Sequence, residues 1–325
     1  MIKRSKASAP AKIILFGEHF VVYGNPAILA SISRRITVTA CIKEDTNKIL
    51  LVSDIGVAGE YSDSVFKLLR GGKNAKAILD PLHAAIRHVL AVRNQKTGVG
   101  VNVFSKVPHG IGLGSSAACS VATIAAVDSL FGKPNPQNVC NQAIESECMI
   151  HRNSSGADCY VSTFGGLIHY SKSAGFHKIE AKSALPLVIG NTGINHSTGD
   201  IVASVKKFKS RNQSLFEDLA SHVRDICSLA TTAISSDKRD QLGQLMNENQ
   251  RILKQIGVSH ERVDDLIEVC SEAGALGAKI TGAGGGGAVI ALAADKKDSA
   301  NITSQIKAHG YDSFEVEIDY KGLIV

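Results

Sequence analysis

Residues 107–118 read V-P-H-G-I-G-L-G-S-S-A-A. Before this stretch, Val99, Val101 and Val103 alternate with Gly100, Asn102 and Phe104, the period of a strand over 99–107. After it, residues 115–131 (SSAACSVATIAAVDSLF), closed by Gly132 and Pro134, carry helical composition and a stop signal. Gly110, Gly112 and Gly114 admit backbone conformations closed to residues with a Cβ, so successive N–H groups can point into one concavity. The helix start adds free amides and a partial positive charge, which suits a phosphate group. A tight turn with an N-cap needs one Gly and one Ser, and three alternate glycines exceed that. Ser115 and Ser116 have two jobs open to them: capping the helix, or placing a hydroxyl on phosphate or Mg²⁺. No Lys follows as in G-x-x-x-x-G-K-[ST], so a phosphate bound here is held by a different nucleotide fold.

Two further stations stand out. Residues 279–287 (K-I-T-G-A-G-G-G-G) contain a G-x-G-x-x-G at Gly282, Gly284 and Gly287, but the apolar run AVIALAA follows where a dinucleotide fold requires a helix. A dinucleotide-binding reading is therefore rejected in favour of a loop that packs backbone against a ligand or another loop. Residues 9–24 (A-P-A-K-I-I-L-F-G-E-H-F-V-V-Y-G) place Lys12 at the start of a strand expected at 12–16, and Gly17-Glu18-His19 between two apolar stretches. Singly these are a surface lysine and a hairpin turn. Three polar side chains within eight residues of one apolar element point to a site.

The remainder of the chain is ordinary for a folded protein: 325 residues, 44% hydrophobic and 20% charged, with no Trp and 30 Gly. No run approaches the roughly 18 apolar residues of a membrane span, and residues 1–10 lack an apolar segment ahead of a cleavage site. A cytosolic location without a membrane partner is expected. Seven Cys with no C-x-x-C pair read as free thiols. The net charge of +6 is dispersed. Its densest cluster, Lys206, Lys207, Lys209 and Arg211 with Phe208 the only aromatic, reads as a solvated helix face, so no nucleic-acid partner is expected. Further strands are expected at 36–42, 186–191 and 313–319, and helices at 75–92, 137–151, 199–209, 214–235, 238–256, 261–274 and 296–308. A domain boundary is placed near 183, in the weakly patterned stretch SKSAGFHKIEAKSA, giving domains 1–183 and 184–325.

The three stations, in their order along the chain, resemble the three motifs of the GHMP small-molecule kinases, and K-I-I-L-F-G-E-H-F-V-V-Y-G is similar to the mevalonate kinase branch in particular. Other matching text is S-G-A-D-C-Y-V-S-T-F-G-G at 155–166, N-T-G-I-N-H-S-T at 191–198 and G-A-K-I-T-G-A-G-G-G-G at 277–287. The resemblance implies an α+β fold of two domains, the N-terminal one of the ribosomal protein S5 domain 2 type and the C-terminal one ferredoxin-like. It implies transfer of the ATP γ-phosphoryl group to the 5-hydroxyl of (R)-mevalonate with Mg²⁺ as cofactor. By position, Pro108, Gly110, Gly112, Leu113, Gly114, Ser115, Ser116, Ala117 and Gly284 would bind ATP. Ser116 and Glu147 would hold Mg²⁺. Asp158 would be the catalytic carboxylate with Lys12 beside it, and Glu18, His19 and Thr198 would touch mevalonate. The chemistry agrees: phosphoryl transfer needs its donor and acceptor in line, its charge neutralised, and a place for the alcohol's proton. Taken alone, Asp158 would read as a loop residue making an Asx-turn. A homodimer is the assembly considered, although nothing in the sequence specifies it.

The sequence also departs from the family's text. Ser154 stands where Pro is common, Cys159 follows Asp158 where Asn is common, and His196 replaces an arginine, offering a weaker, pH-dependent contact. Rival readings are a sibling kinase acting on phosphomevalonate or homoserine, and a non-catalytic metabolite-binding regulator. Lys12, Ser116, Glu147 and Asp158 together argue against the regulator, since binding alone requires no proton acceptor. In the helix 137–151, Val139, Ala143, Glu147 and Ile150 share one face, whereas Glu145 falls with Asn138, Asn141 and Arg152 on the polar side. Glu147 therefore needs an inward partner, either a buried cationic side chain or a metal ion.

Overall fold

In the computed structural model, which describes residues 3–43, 48–62, 65–108, 110–150, 155–194 and 197–325, the strand expected at 12–16 is the end of a longer one. β1 (Arg4–Phe16) pairs antiparallel with β2 (Ala27–Lys43) from Arg4↔Cys41 to Phe16↔Ile28. On its other side β2 pairs with β6 (Gly98–Ser105) and β7 (Leu167–Ser171). With β3 (Lys48–Ser53), β4 (Val57–Ser62), β5 (Val65–Arg70) and β8 (Gly175–Ile179) they form an eight-stranded sheet. Its order is β5-β4-β3-β6-β2-β7-β8, with β1 attached to β2. Among the described residues only the β3–β6 ladder in it is parallel, and the crossover that such a pair needs runs through α1 (Ala75–Val92).

The alternation in β6 decides which face is covered. Val99, Val101 and Val103 are buried while Phe104 is 55% exposed. Against the buried face lie α1, α2 (Ser115–Ser129) and α4 (Ala157–Phe164), and α3 (Pro136–Ile150) packs on these helices. α2 is small or apolar on all sides, and its residues from Ser120 to Asp128 are buried without a break, as befits a helix at the centre of a domain. Its amino end therefore opens from the core at a fixed place.

The second sheet runs β10-β11-β9-β12, entirely antiparallel, from β9 (Leu187–Asn191), β10 (Gly277–Ile280), β11 (Ala288–Leu292) and β12 (Asp312–Val316). Its helices are α5 (Thr198–Arg211), α6 (Gln213–Ser235), α7 (Arg239–Gln255), α8 (Glu261–Glu272) and α9 (Lys296–Ala308). β10 is an edge strand, and α7 satisfies its open side: Ala278 N donates to Asn247 Oδ1 and Ile280 N to Gln250 Oε1, both at 3.0 Å. Side-chain amides here do the work of a further strand.

The C-terminal tail returns to the first sheet through the bridges Ile32↔Ile318 and Ser8↔Ile324, where Arg35 pairs with Asp319 and donates to the Ser8 carbonyl at 2.7 Å. The stretch that reads as weakly patterned around 171–184 holds β8. Among the described residues no helix is long and apolar enough to cross a membrane. Of the basic cluster on α5, Lys206, Lys207 and Arg211 are exposed, while Lys209 lies over the rings of Tyr23 and Phe216.

Candidate active site

The glycine-rich segment after β6 is pinned by its apolar residues and open at its glycines. Ile111 and Leu113 are buried, while Gly110 and Gly112 are exposed. Gly110, Gly112 and Gly114 all have positive φ, between 69° and 84°, the region that only glycine enters without strain. Gly114 is the N-cap of α2, and no side chain caps this helix. Of the two jobs open to Ser115 and Ser116, capping is thus not taken up. The first amide with a carbonyl one turn back is Ala118 N, bonded to Gly114 O at 3.1 Å. The preceding amides of Ser115, Ser116 and Ala117 are free of intrahelical partners, at the positive end of a buried helix. A helix start of this kind suits an anion.

β1 runs beside it. Lys12 N donates to Leu113 O at 2.9 Å, and a Cβ on Gly114 would stand 2.6 Å from Lys12 Cγ. The Lys12 side chain therefore passes over the helix start in contact with Gly114, and its Nζ reaches Asp158 Oδ2 at 3.1 Å. The lysine side chain is 5% exposed and the aspartate 40%, so the carboxylate presents itself to an incoming molecule while the ammonium backs it.

Asp158 is not in a polar loop: it sits in the first turn of α4, whose N-cap is Gly156. Gly156 has φ 75° and packs where a Cβ would come 2.8 Å from Ile144 Cδ1, so α4 is seated directly against α3. Cys159, beside Asp158, is buried, and burial pushes its thiol well above the usual range, which leaves it without nucleophilic character.

Glu147 lies on the inward side of α3 with Val139 and Ala143, 7% exposed. Glu145 is on the exposed side, 3.7 Å from His88, so the helical phase separates the two acids as the spacing predicts. Ser116 Oγ donates to Glu147 Oε1 at 2.5 Å, which brings two oxygen donors together at the start of α2.

The third glycine segment, 282–287, lies back to back with the first. Positions for Cβ atoms on Gly282 and Gly287 would be 3.3 Å from Gly112 O and 3.1 Å from Ile111 O. Gly284 instead faces the chain before α8, where a Cβ would be 2.4 Å from Val258 O. This backbone approach accounts for a glycine there.

Glu18 and His19 turn toward this same segment. Glu18 has no exposed surface and its carboxylate meets Lys279 Nζ, itself wholly buried. His19, at φ 63°, has its Nε2 2.8 Å from Ala283 O. A carbonyl only accepts, so Nε2 carries the proton. The carboxylate that the resemblance assigns to substrate is thus directed at Lys279. Thr198 is the first residue of α5 and is exposed. His196 and Ser154 lie outside the described residues.

Burial holds the His19 imidazole below its ordinary 6.5, with the Lys279 charge adding to the effect. Below that pH the unfolded chain takes up a proton that the folded chain refuses, so stability present above about 6.5 is lost as pH falls. His19→Asn is expected to reduce this loss, read as the denaturant midpoint between pH 7 and 5. Part of the slope should remain, because burial depresses His83 and His169 as well. An unchanged slope would contradict the assignment to His19.

Sequence reasoning did not single out Lys279. The available signal was a lysine inside an apolar strand, GAKI, all four residues of which are buried; such a lysine demands an acidic partner.

Comparison with known proteins agrees with this architecture. The model of the GHMP kinases N terminal domain matches residues 80–166, and that of the GHMP kinases C terminal matches 230–312. A mevalonate kinase from Thermococcus sibiricus is 39% identical over 98% of this chain and 98% of its own length. One from Pyrococcus furiosus is 37% identical over 98% and 97%. Among solved structures, L. major mevalonate kinase in complex with R-mevalonate superposes with a TM-score of 0.81 at 29% identity, covering 98% of this chain and 95% of that one. With both GHMP domains present, and with relatives of this similarity aligned from end to end, the chain belongs to the mevalonate kinase family of the GHMP kinases.

Proposed function

We propose that this chain transfers the γ-phosphoryl group of ATP to the 5-hydroxyl of (R)-mevalonate. The observation that carries the reading is the Lys12–Asp158 pair at 3.1 Å, lying across the amino end of α2 and its glycine-rich approach. The amides of Ser115, Ser116 and Ala117 would hold the phosphates. The Asp158 carboxylate would accept the alcohol's proton, and the Lys12 ammonium would stabilise the alkoxide as it forms. Thr198 and His19 would border the substrate. The two domains would divide at about residue 183, the protein would work in the cytoplasm, and a homodimer is the assembly considered.

A hard divalent cation fits the donor set at the start of α2. Ser116 Oγ and Glu147 Oε1 are adjacent oxygens, and Mg²⁺ typically takes one or two carboxylates along with phosphate oxygens and water. Bound there, Mg²⁺ would neutralise phosphate charge. Glu147→Gln is expected to raise the Mg²⁺ concentration for half-maximal rate several-fold and to lower kcat, and Glu145→Gln to change neither. Identical Mg²⁺ titrations for both variants would contradict the metal assignment.

The reading as a whole is tested by ADP release on a panel of mevalonate, phosphomevalonate, homoserine and galactose. Mevalonate is expected to support the highest kcat/KM. A higher value for another alcohol would make the chain a sibling kinase, and no release with any of them would leave a binding protein of this fold.

A further inference from the structure

Glu18 and Lys279 are 261 residues apart in sequence and 0% exposed, and they meet across the junction of the two sheets. The lysine also donates to Ile280 O at 2.6 Å. Glu18 Oε2 has no hydrogen-bond partner among the described residues, so the pair is sealed in protein with one acceptor unsatisfied. For stability alone this is a poor choice, because an apolar pair of the same volume commonly serves as well or better. In some proteins a buried charge pair instead fixes the relative placement of the segments that carry it.

Those segments converge on the phosphate loop. Lys279 belongs to β10, fixed on its open edge by Asn247 and Gln250 and jammed on α7, where a Cβ on Gly277 would lie 2.1 Å from Gly243 O. Two residues on, Thr281 Oγ1 accepts from Ile14 N at 2.8 Å, in the strand that carries Lys12. Then Ala283 O meets His19, and Gly282 and Gly287 back the phosphate loop at 111–112. One strand and its following loop thus touch Lys12's strand, the Glu18–His19 corner and the anion site together.

We infer that Lys279 and Glu18 are positioning residues for phosphoryl transfer, setting the register of the Lys12 strand and the phosphate loop against the C-terminal sheet, and that Glu18 does not touch the substrate. The inference rests on the kinase reading above for its kinetic arm only.

Glu18→Gln or Lys279→Met alone leaves a buried group without its partner and is expected to lower Tm by about 10 °C. The pair Glu18→Leu with Lys279→Met removes both charges. It is expected to restore Tm to within a few degrees of the parent while kcat stays about 10- to 100-fold down. KM for mevalonate should hold within about twofold, since the pair makes no substrate contact. Amide hydrogen exchange at 110–117 should be faster in the double variant. Thr281→Val, which keeps shape and loses only the acceptor for Ile14, should lower kcat several-fold at near-parent Tm, and it supplies the kinetic arm if the double variant does not fold.

Parental kcat and exchange in the double variant, or parental kcat in Thr281→Val where that variant supplies the kinetic arm, would overturn the inference. So would a raised KM for mevalonate at unchanged kcat, which would make Glu18 a substrate contact. If the parent itself released no ADP with any alcohol, the functional reading would fall. Exchange at 110–117 would then decide the inference alone, faster exchange supporting it and unchanged exchange overturning it.

Discussion

Asp158→Asn is expected to cut kcat by on the order of 10²-fold or more while Tm and nucleotide affinity stay near those of the parent. The asparagine keeps the size of the side chain and its place in the first turn of α4, but it cannot take a proton. Folding has little at stake, since the Asp158 side chain is 40% exposed and its ion pair with Lys12 is correspondingly screened. In the proposed site the nucleotide is held by the amides at the start of α2, which the substitution does not touch. Single-turnover rates with ATP and mevalonate, alongside a nucleotide titration, separate the two effects. Turnover within a few-fold of the parent would remove Asp158 from the chemical step.

The second large effect is expected from Gly114→Ala. At φ 69° an alanine is strained by roughly 1–2 kcal/mol, and its Cβ would fall 2.6 Å from Lys12 Cγ and 2.8 Å from Cε. Lys12 is 4% exposed and packed by its neighbours, so the clash must move either the lysine or the helix start. Either shift spoils the alignment of ammonium, carboxylate and phosphate, and displacements of about 1 Å can cost on the order of 10²-fold in rate. The expected result is a loss of that size in kcat, with a raised KM for ATP and a Tm drop of a few degrees. Gly72→Ala is the matched control, because a Cβ there meets nothing within 4 Å. A Gly114→Ala enzyme with parental kcat would show that Lys12 is free to step aside without consequence.

What the sequence discloses and what it hides divide along physical lines. The glycine-rich loop at 107–118 is legible because its requirement is local: three alternate glycines between a strand and a helix encode the backbone path without reference to the rest of the chain. The phase of Glu147 against Glu145 is legible for the same reason, being a matter of helical period. The strands β3, β4, β5, β7 and β8 are not read; β5, exposed at nearly every position, offers no apolar alternation. β1 is recognised only over its apolar end, because Arg4 and Lys6 are exposed and Ser5, whose hydroxyl donates to Ala126 O, is polar. α4 escapes for another reason. Its residues ADCYVSTF are mostly weak helix formers bracketed by glycines, and packing on α3 through Gly156 overrides that preference. The Glu18–Lys279 contact is of a third kind, joining residues that no local pattern connects.

The central claim is that Lys12, Asp158 and the amino end of α2 form one phosphoryl-transfer site for mevalonate. Its most direct test is ³¹P NMR of a reaction containing the purified chain, ATP, Mg²⁺ and (R)-mevalonate, run beside the Asp158→Asn variant. The account predicts a new phosphomonoester resonance that grows one-for-one with ADP in the parent and is about 10²-fold slower in the variant. ADP appearing without a mevalonate phosphomonoester, or the phosphomonoester forming at equal rates in both proteins, would contradict it.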